Sequence, residues 1–211
     1  MKNFSILFLL VSFSLVSCGE EVKKEVPKPI VGEIVDIEIP FQNPSFKTND
    51  EKAILEELDI CGDPKDSLFT PCTAEFFELT KFRSDKKIKD AFILQIKGST
   101  MLKGENKIFP VRRMMVFERE NGKLVKTNGF VGELVAFEQS ATAVQNLIVA
   151  FYDTEEDVIF HCVFEWKNKR YDFKEVKAID FGPGPKAVKA SEKETVDKEI
   201  YQILVDKKVL F

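Results

Sequence analysis

The chain has 211 residues, 44% hydrophobic and 31% charged, a balance that suits one folded domain with a proper core. Its formal charge of −4 argues against nucleic acid as a partner, because that binding needs a basic surface to displace counterions. Twenty phenylalanines stand against three tyrosines and one tryptophan. Phenylalanine has no polar handle, so these rings are expected in a dry interior rather than on a sugar-binding platform.

The chain opens with Met1-Lys2-Asn3 and one positive charge, followed by the apolar run "FSILFLLVSFSLV", Phe4 to Val16. That run has the length of a signal-peptide core and falls short of the roughly 20 apolar residues that a spanning helix needs. Leu15-Val16-Ser17-Cys18 then resembles the lipobox of bacterial lipoproteins, with Leu three positions before the cysteine and a small residue just before it. The resemblance covers only this leader. It implies a diacylglyceryl group on Cys18 and cleavage before that residue. Two or more acyl chains give durable anchoring, at about 0.8 kcal/mol per buried methylene. Glu20 and Glu21 directly afterwards resemble the surface-export signal of lipoproteins in the Bacteroidetes group. The expected organisation is a signal peptide over 1–17, a lipidated cysteine and flexible tether over 18–29, and a single domain over 30–211. Loss of residues 1–17 removes Lys2 and no acid, which moves the formal charge from −4 to −5. Electrostatic adsorption to anionic lipid would not help such a domain, so the acyl chains do the holding.

Within the domain, "IVGEIVDIEIP" alternates Val31, Val35, Ile37 and Ile39 against Asp36 and Glu38, the pattern of a half-buried strand ended by Pro40. "TNDEKAILEELD" reads as a short helix, with Asn49 or Asp50 as cap and Ile54, Leu55 and Leu58 as its apolar stripe. "AEFFELTKF" leans to strand. "AFILQIK" is expected to point Phe92, Leu94 and Ile96 inward. "VRRMMVFERENGKLVKTNGFV" forms two strands joined at Asn121-Gly122, a dipeptide that tolerates the positive φ of a type I′ hairpin turn. "ELVAFEQ" is a further strand, and "NLIVAFYD", apolar on both faces, is a central one. "VIFHCVFEWKNKRYDFKEVKAI" makes another hairpin, and "FGPGP" ends the sheet. Val116-Phe117-Glu118 with Asn121 and Leu124 matches Val163-Phe164-Glu165 with Asn168 and Tyr171 at one offset. Similar hairpins within one sheet account for this slightly better than a duplicated unit. Ser191 and Glu194 form a capping-box pattern ahead of a helical stripe of Val196, Ile200, Ile203 and Leu204. The fold class is therefore α+β, an antiparallel meander-like sheet with a short N-terminal helix and a C-terminal amphipathic helix.

Cys61 and Cys72 bracket a turn-rich loop and, in an oxidising compartment, are expected to pair as a disulfide; two buried thiols are the alternative. Cys162 lies between apolar residues and reads as an inert core thiol. A zinc site would need more Cys or His ligands than a chain with one His offers. That residue, His161, neighbours Cys162 on a strand, so the two side chains point to opposite faces and form no nucleophile–base pair. Asp153 to Asp157 and the "GDPKD" stretch at 62–66 read as solvated turns rather than calcium loops. One of Arg112 and Arg113 is forced toward the covered face, where Glu118 or Glu138 would partner it. No catalytic, metal or cofactor site is expected. The composite expectation is a lipid-anchored protein of the bacterial cell envelope, at the outer membrane and facing the periplasm or the exterior. Its domain is a non-enzymatic binding or scaffolding module for an envelope protein or glycan. The alternatives are a surface hydrolase using paired carboxylates and a carrier of small apolar ligands.

Overall fold

A computed structural model describes residues 49–62, 70–97, 100–101, 108–109 and 113–211. Cys18, the tether, the strand expected near Val35, most of the cysteine loop and Arg112 lie outside the described residues. The elements run in the order α1 (Asn49–Leu58), β1 (Phe77–Thr80), β2 (Ala91–Ile96), β3 (Thr100–Met101), β4 (Ile108–Phe109), β5 (Arg113–Glu120) and β6 (Lys123–Phe130). They continue with β7 (Glu133–Glu138), β8 (Asn146–Asp153), β9 (Val158–Lys167), β10 (Arg170–Asp180), β11 (Pro185–Ala187) and α2 (Lys193–Asp206). The fold is α+β, with an early helix, antiparallel strands and a C-terminal helix.

The meander runs through two main sheets. One has the order β1-β2-β5-β6 and the other β11-β10-β9-β8-β7, with β3 and β4 as a short separate ribbon. The two similar hairpins therefore belong to different sheets, which corrects the expectation that one sheet holds both. Their likeness extends through the pairing. Phe117 faces Lys126 and Phe164 faces Phe173; Met115 faces Gly129 and Cys162 faces Val176. Both hairpins skip a residue at the same offset, Thr127 in the first and Lys174 in the second, and the second skips once more at Lys177. Both turns also use positive φ, at Asn121 and Gly122 and at Asn168 and Lys169. Leu79–Leu94 in β1 and β2 is matched in the same way by Leu134–Val149 in β7 and β8. The chain thus contains two four-stranded meanders of common register, a structural repeat.

Equivalent faces of the repeats receive a helix each. Phe92, Leu94, Ile96 and Phe117 pack with Ile54 and Leu55 of α1. Their counterparts Leu147, Val149, Phe151 and Phe164 lie in the larger core with Val196, Ile200, Ile203 and Leu204 of α2. The opposite face of the first meander, including Ile93, Met114 and Val116, closes that same larger core. Strand β2 is consequently buried on both faces, including Ala91 and Ile93, whereas its alternation suggested one inward face. Each large apolar side chain so buried contributes about 1.5–3 kcal/mol.

Amide side chains tie the two sheets together. Gln95 Oε1 on β2 accepts from the Leu134 amide on β7 at 3.1 Å. Asn128 on β6 donates through Nδ2 to the Tyr171 carbonyl at 2.9 Å and accepts through Oδ1 from the Tyr171 amide at 2.7 Å. Asn128 therefore imitates a strand partner for β10, and all these groups are buried.

Several local expectations are corrected. The capping box does not form, because a turn that bonds the Glu192 amide to the Lys189 carbonyl at 3.0 Å occupies Ser191. Glu192 becomes the cap residue in a helical conformation (φ −111°, ψ −7°) with no side-chain cap bond. The "FGPGP" segment does not end the sheet: Asp180 Oδ1 accepts from the Gly182 and Gly184 amides, and the chain returns as edge strand β11. Proline is tolerated there because an edge strand need not donate on its outer side. Glu118 pairs with Arg83 at 2.7 Å and Glu138 with Lys177 at 3.1 Å, so each acid named as a partner for the "VRR" stretch already holds another cation. Asp153 is not solvated; it is buried and paired with Lys207 Nζ at 2.6 Å, fixing the end of α2 to the β8–β9 turn.

Candidate binding groove

The C-terminal segment builds the most distinctive surface of the molecule. After α2 the chain turns through Lys208 (φ 53°) and runs antiparallel along β6. The Val131 amide donates to the Val209 carbonyl and the Phe211 amide to the Gly129 carbonyl, each at 2.8 Å. Between this tail, β6, β10 and α2 lies a groove of about 570 Å3. Phe130, Phe164 and Phe173 form its aromatic lining, packed edge to face: Phe130–Phe164 centroids lie 4.9 Å apart and Phe164–Phe173 centroids 5.8 Å apart. Tyr201 from α2 meets Phe173 at 5.1 Å. Arg170 and Asp172, joined at 3.1 Å, supply a polar margin.

Exposure singles out this groove. Among the described residues the large hydrophobics classed as exposed are Val125, Tyr152, Tyr201, Val205 and Phe211, and the last three line it, at 44%, 44% and 47% exposure. Scattered exposed hydrophobics are ordinary, but a contiguous set with a polar margin is a recognition surface. The groove is open, with half-exposed walls, and so differs from the enclosed apolar chamber a small-ligand carrier would use. Asp172 is the one acidic side chain among the described residues of its lining, and it is tied to Arg170, so that lining brings no pair of acidic side chains together. A second hollow of about 550 Å3 lies beside the cysteines, with Leu55, Glu56 and Asp59 in its wall.

The structure joins Cys61 and Cys72 as a disulfide with Cα atoms 5.4 Å apart, next to α1. Closing a loop of this length stabilises by about 3 kcal/mol through the unfolded state. Cys162 is free and buried in the larger core, where burial pushes its thiol far above the ordinary range. His161 faces the other side of β9 from Cys162, the side on which Val163 joins Ala136 and Ile148 in a small separate buried cluster. The residue is only 9% exposed, and Nδ1 has no hydrogen-bond partner among the described residues. Burial lowers its pKa, against a smaller opposing pull from Asp180.

The sign of that shift gives a pH prediction. An unfolded chain takes up the His161 proton near pH 6.5, whereas the folded chain resists it to lower pH. The unfolded state then binds more protons, so stability present at pH 7 declines as pH falls through about 6.5. Chemical denaturation at pH 7 and pH 5.5 should show this loss, and His161→Gln should flatten the slope. Asp197, whose pKa burial raises, acts in the opposite sense at lower pH. An unchanged slope in His161→Gln would assign the dependence elsewhere.

Sequence reasoning had no means of finding the groove. Its walls come from residues 128–130, 164, 170–173 and 201–211, and Phe211 carries no motif. Known proteins do not supply the missing link. No family model, curated protein or solved structure matches this chain. Among the described residues no His, Cys, Asp or Glu set is arranged to hold a metal ion, and no helix is long and apolar enough to cross a membrane.

Proposed function

We propose that this protein is a lipoprotein of the bacterial cell envelope, moored through acyl chains on Cys18, whose folded domain is a non-enzymatic binding or scaffolding module. The outer membrane is the proposed location, and residues 18–29 the tether that stands the domain off the bilayer. The aromatic groove beside α2 is the proposed contact surface, and an envelope protein or glycan is the proposed partner. The observation that carries the binding assignment is the gathering of Tyr201, Val205 and Phe211, each about half exposed, over a buried aromatic lining. Rings fixed edge to face, with Tyr201 and Phe211 open beside them, give contact area at small ordering cost, which suits recognition. The leader supports the anchoring, because its apolar run stops at a lipobox-like cysteine.

The two halves of the proposal are tested together in intact cells. Cys18→Ser should abolish incorporation of labelled fatty acid and move the chain out of the membrane fraction. A photo-cross-linking residue at position 201 in the anchored chain should capture a defined envelope component, and one at Lys198, which is on the exposed side of α2, should not. Retention of the Cys18→Ser chain in the bilayer without fatty acid would refute the anchor. Capture of lipid alone at position 201 would refute the binding assignment.

A further inference from the structure

The groove already contains a ligand of a kind, the chain's own Val209–Phe211 segment. Val209, Leu210 and Phe211 add a short strand to β6, with Leu210 opposite Phe130 and two backbone hydrogen bonds of 2.8 Å on either side. The Phe211 ring lies across Gly129. A Cβ there would come within 2.6 Å of the Phe211 ring atom Cδ2 and 2.7 Å of Cζ, so the glycine makes room for the ring. Above the ring stand two cations, Lys126 Nζ at 4.5 Å and Arg113 Cζ at 5.9 Å from its centroid. The position is therefore built for an extended segment that carries an aromatic residue. Yet only part of the occupant is well held. Val209 and Leu210 pack on the margin of the larger core, but Phe211 stays 47% exposed, and the tail pairs only with the end of β6 and the residue after it, Gly129 to Val131.

Such a site has three complementary parts. An edge strand offers backbone groups to any extended chain regardless of sequence. The Gly129 slot with its two cations selects an aromatic side chain through van der Waals contact and the attraction of a cation for a ring face. The open aromatic trough alongside, with Tyr201 and Phe173, accepts further apolar side chains of the same segment. We infer that the β6 edge and the adjoining groove form a strand-addition site for an extended apolar polypeptide segment carrying an aromatic residue, which the chain's own Val209–Phe211 occupies until such a partner displaces it. The inference rests on the groove being the contact surface and names the partner as polypeptide rather than glycan.

A labelled peptide of sequence Lys-Lys-Val-Leu-Phe, copying residues 207–211, tests it against the whole folded domain by fluorescence anisotropy. Phe211→Ala weakens the internal competitor without touching the core and should bind the peptide about fivefold to tenfold tighter than the parent chain, the scale of one exposed aromatic anchor. Gly129→Ala fills the slot with a methyl group and should remove peptide binding in both backgrounds, with melting temperature confirming that each variant is folded. A peptide ending in alanine instead of phenylalanine should bind at least about tenfold more weakly. Equal affinity of the parent and Phe211→Ala, or full binding by folded Gly129→Ala, would overturn the inference. So would concentration-dependent dimers of the parent chain that Gly129→Ala abolishes and the peptide does not dissociate, since the occupant would then be a second copy. Should position 201 capture the same envelope component from the parent and Gly129→Ala chains alike, the groove assignment stands and strand addition falls. Should the peptide bind as expected while position 201 captures only lipid, strand addition stands and the proposed cellular role falls.

Discussion

Replacing Phe164 with alanine is expected to lower the unfolding free energy by about 3–5 kcal/mol, the range for removing a buried aromatic ring and leaving its cavity. Phe164 is only 1% exposed and touches three other rings: Phe130 at 4.9 Å, Phe173 at 5.8 Å and Phe151 at 6.0 Å. Those contacts join β6, β8 and β10, so truncation loosens the seam between the sheets as well as one strand. Phe164→Leu retains most of the apolar volume and should cost well under half as much. Urea denaturation followed by circular dichroism checks both, with the slope unchanged if the denatured state is unaffected. A loss below about 1.5 kcal/mol for alanine would mean that the site collapses around the void, and that the ring cluster does not hold the seam.

The second large effect is expected at Asn128. Its amide holds both backbone groups of Tyr171, and replacement by leucine leaves a buried N–H and a buried C=O without partners. Each abandoned group costs about 1–3 kcal/mol, so Asn128→Leu should destabilise by roughly 2–5 kcal/mol despite its added apolar volume. Asn128→Asp separates the two bonds. A carboxylate still accepts from the Tyr171 amide but cannot donate to the Tyr171 carbonyl, and its burial raises its pKa. The folded state then binds a proton more readily than the unfolded state, so this variant should regain stability as the pH falls from 7 toward 5. The leucine variant should show no such recovery. Parallel pH profiles for the two would indicate that the Asn128–Tyr171 link is not what joins the sheets.

The repeat shows why the Asn128 link is made only once. Asn128 corresponds in register to Glu175 in the second hairpin, and Glu175 is engaged by Lys193 of α2 at 2.8 Å. The first meander uses that position to reach across to its twin, and the second uses it to hold its helix. Equivalent backbones have thus been given different tasks by a single side chain.

Much of the fold was legible before any coordinates. An apolar run on both faces of "NLIVAFYD" marked β8 as a central strand, Asn121-Gly122 marked a hairpin, and the spacing of Val196, Ile200, Ile203 and Leu204 marked the buried stripe of α2. These are local properties: a turn needs particular φ angles, and a face that must stay dry repeats at the period of its element. The chain's first eighteen residues carry their proposed address in the same local way. What covers a dry face is not local, and tertiary structure alone decided it. The alternation of β2 points Phe92 inward and leaves Ile93 on the other face, yet Ile93 closes the larger core while Phe92 packs on α1. Only the division of one meander into two sheets gives Ile93 a dry neighbour. The groove arises the same way, where Gly129, Tyr171, Tyr201 and Phe211 meet across more than 80 positions of chain. Periodicity records that a side chain leaves water, but the neighbour that receives it is chosen by how whole elements stack.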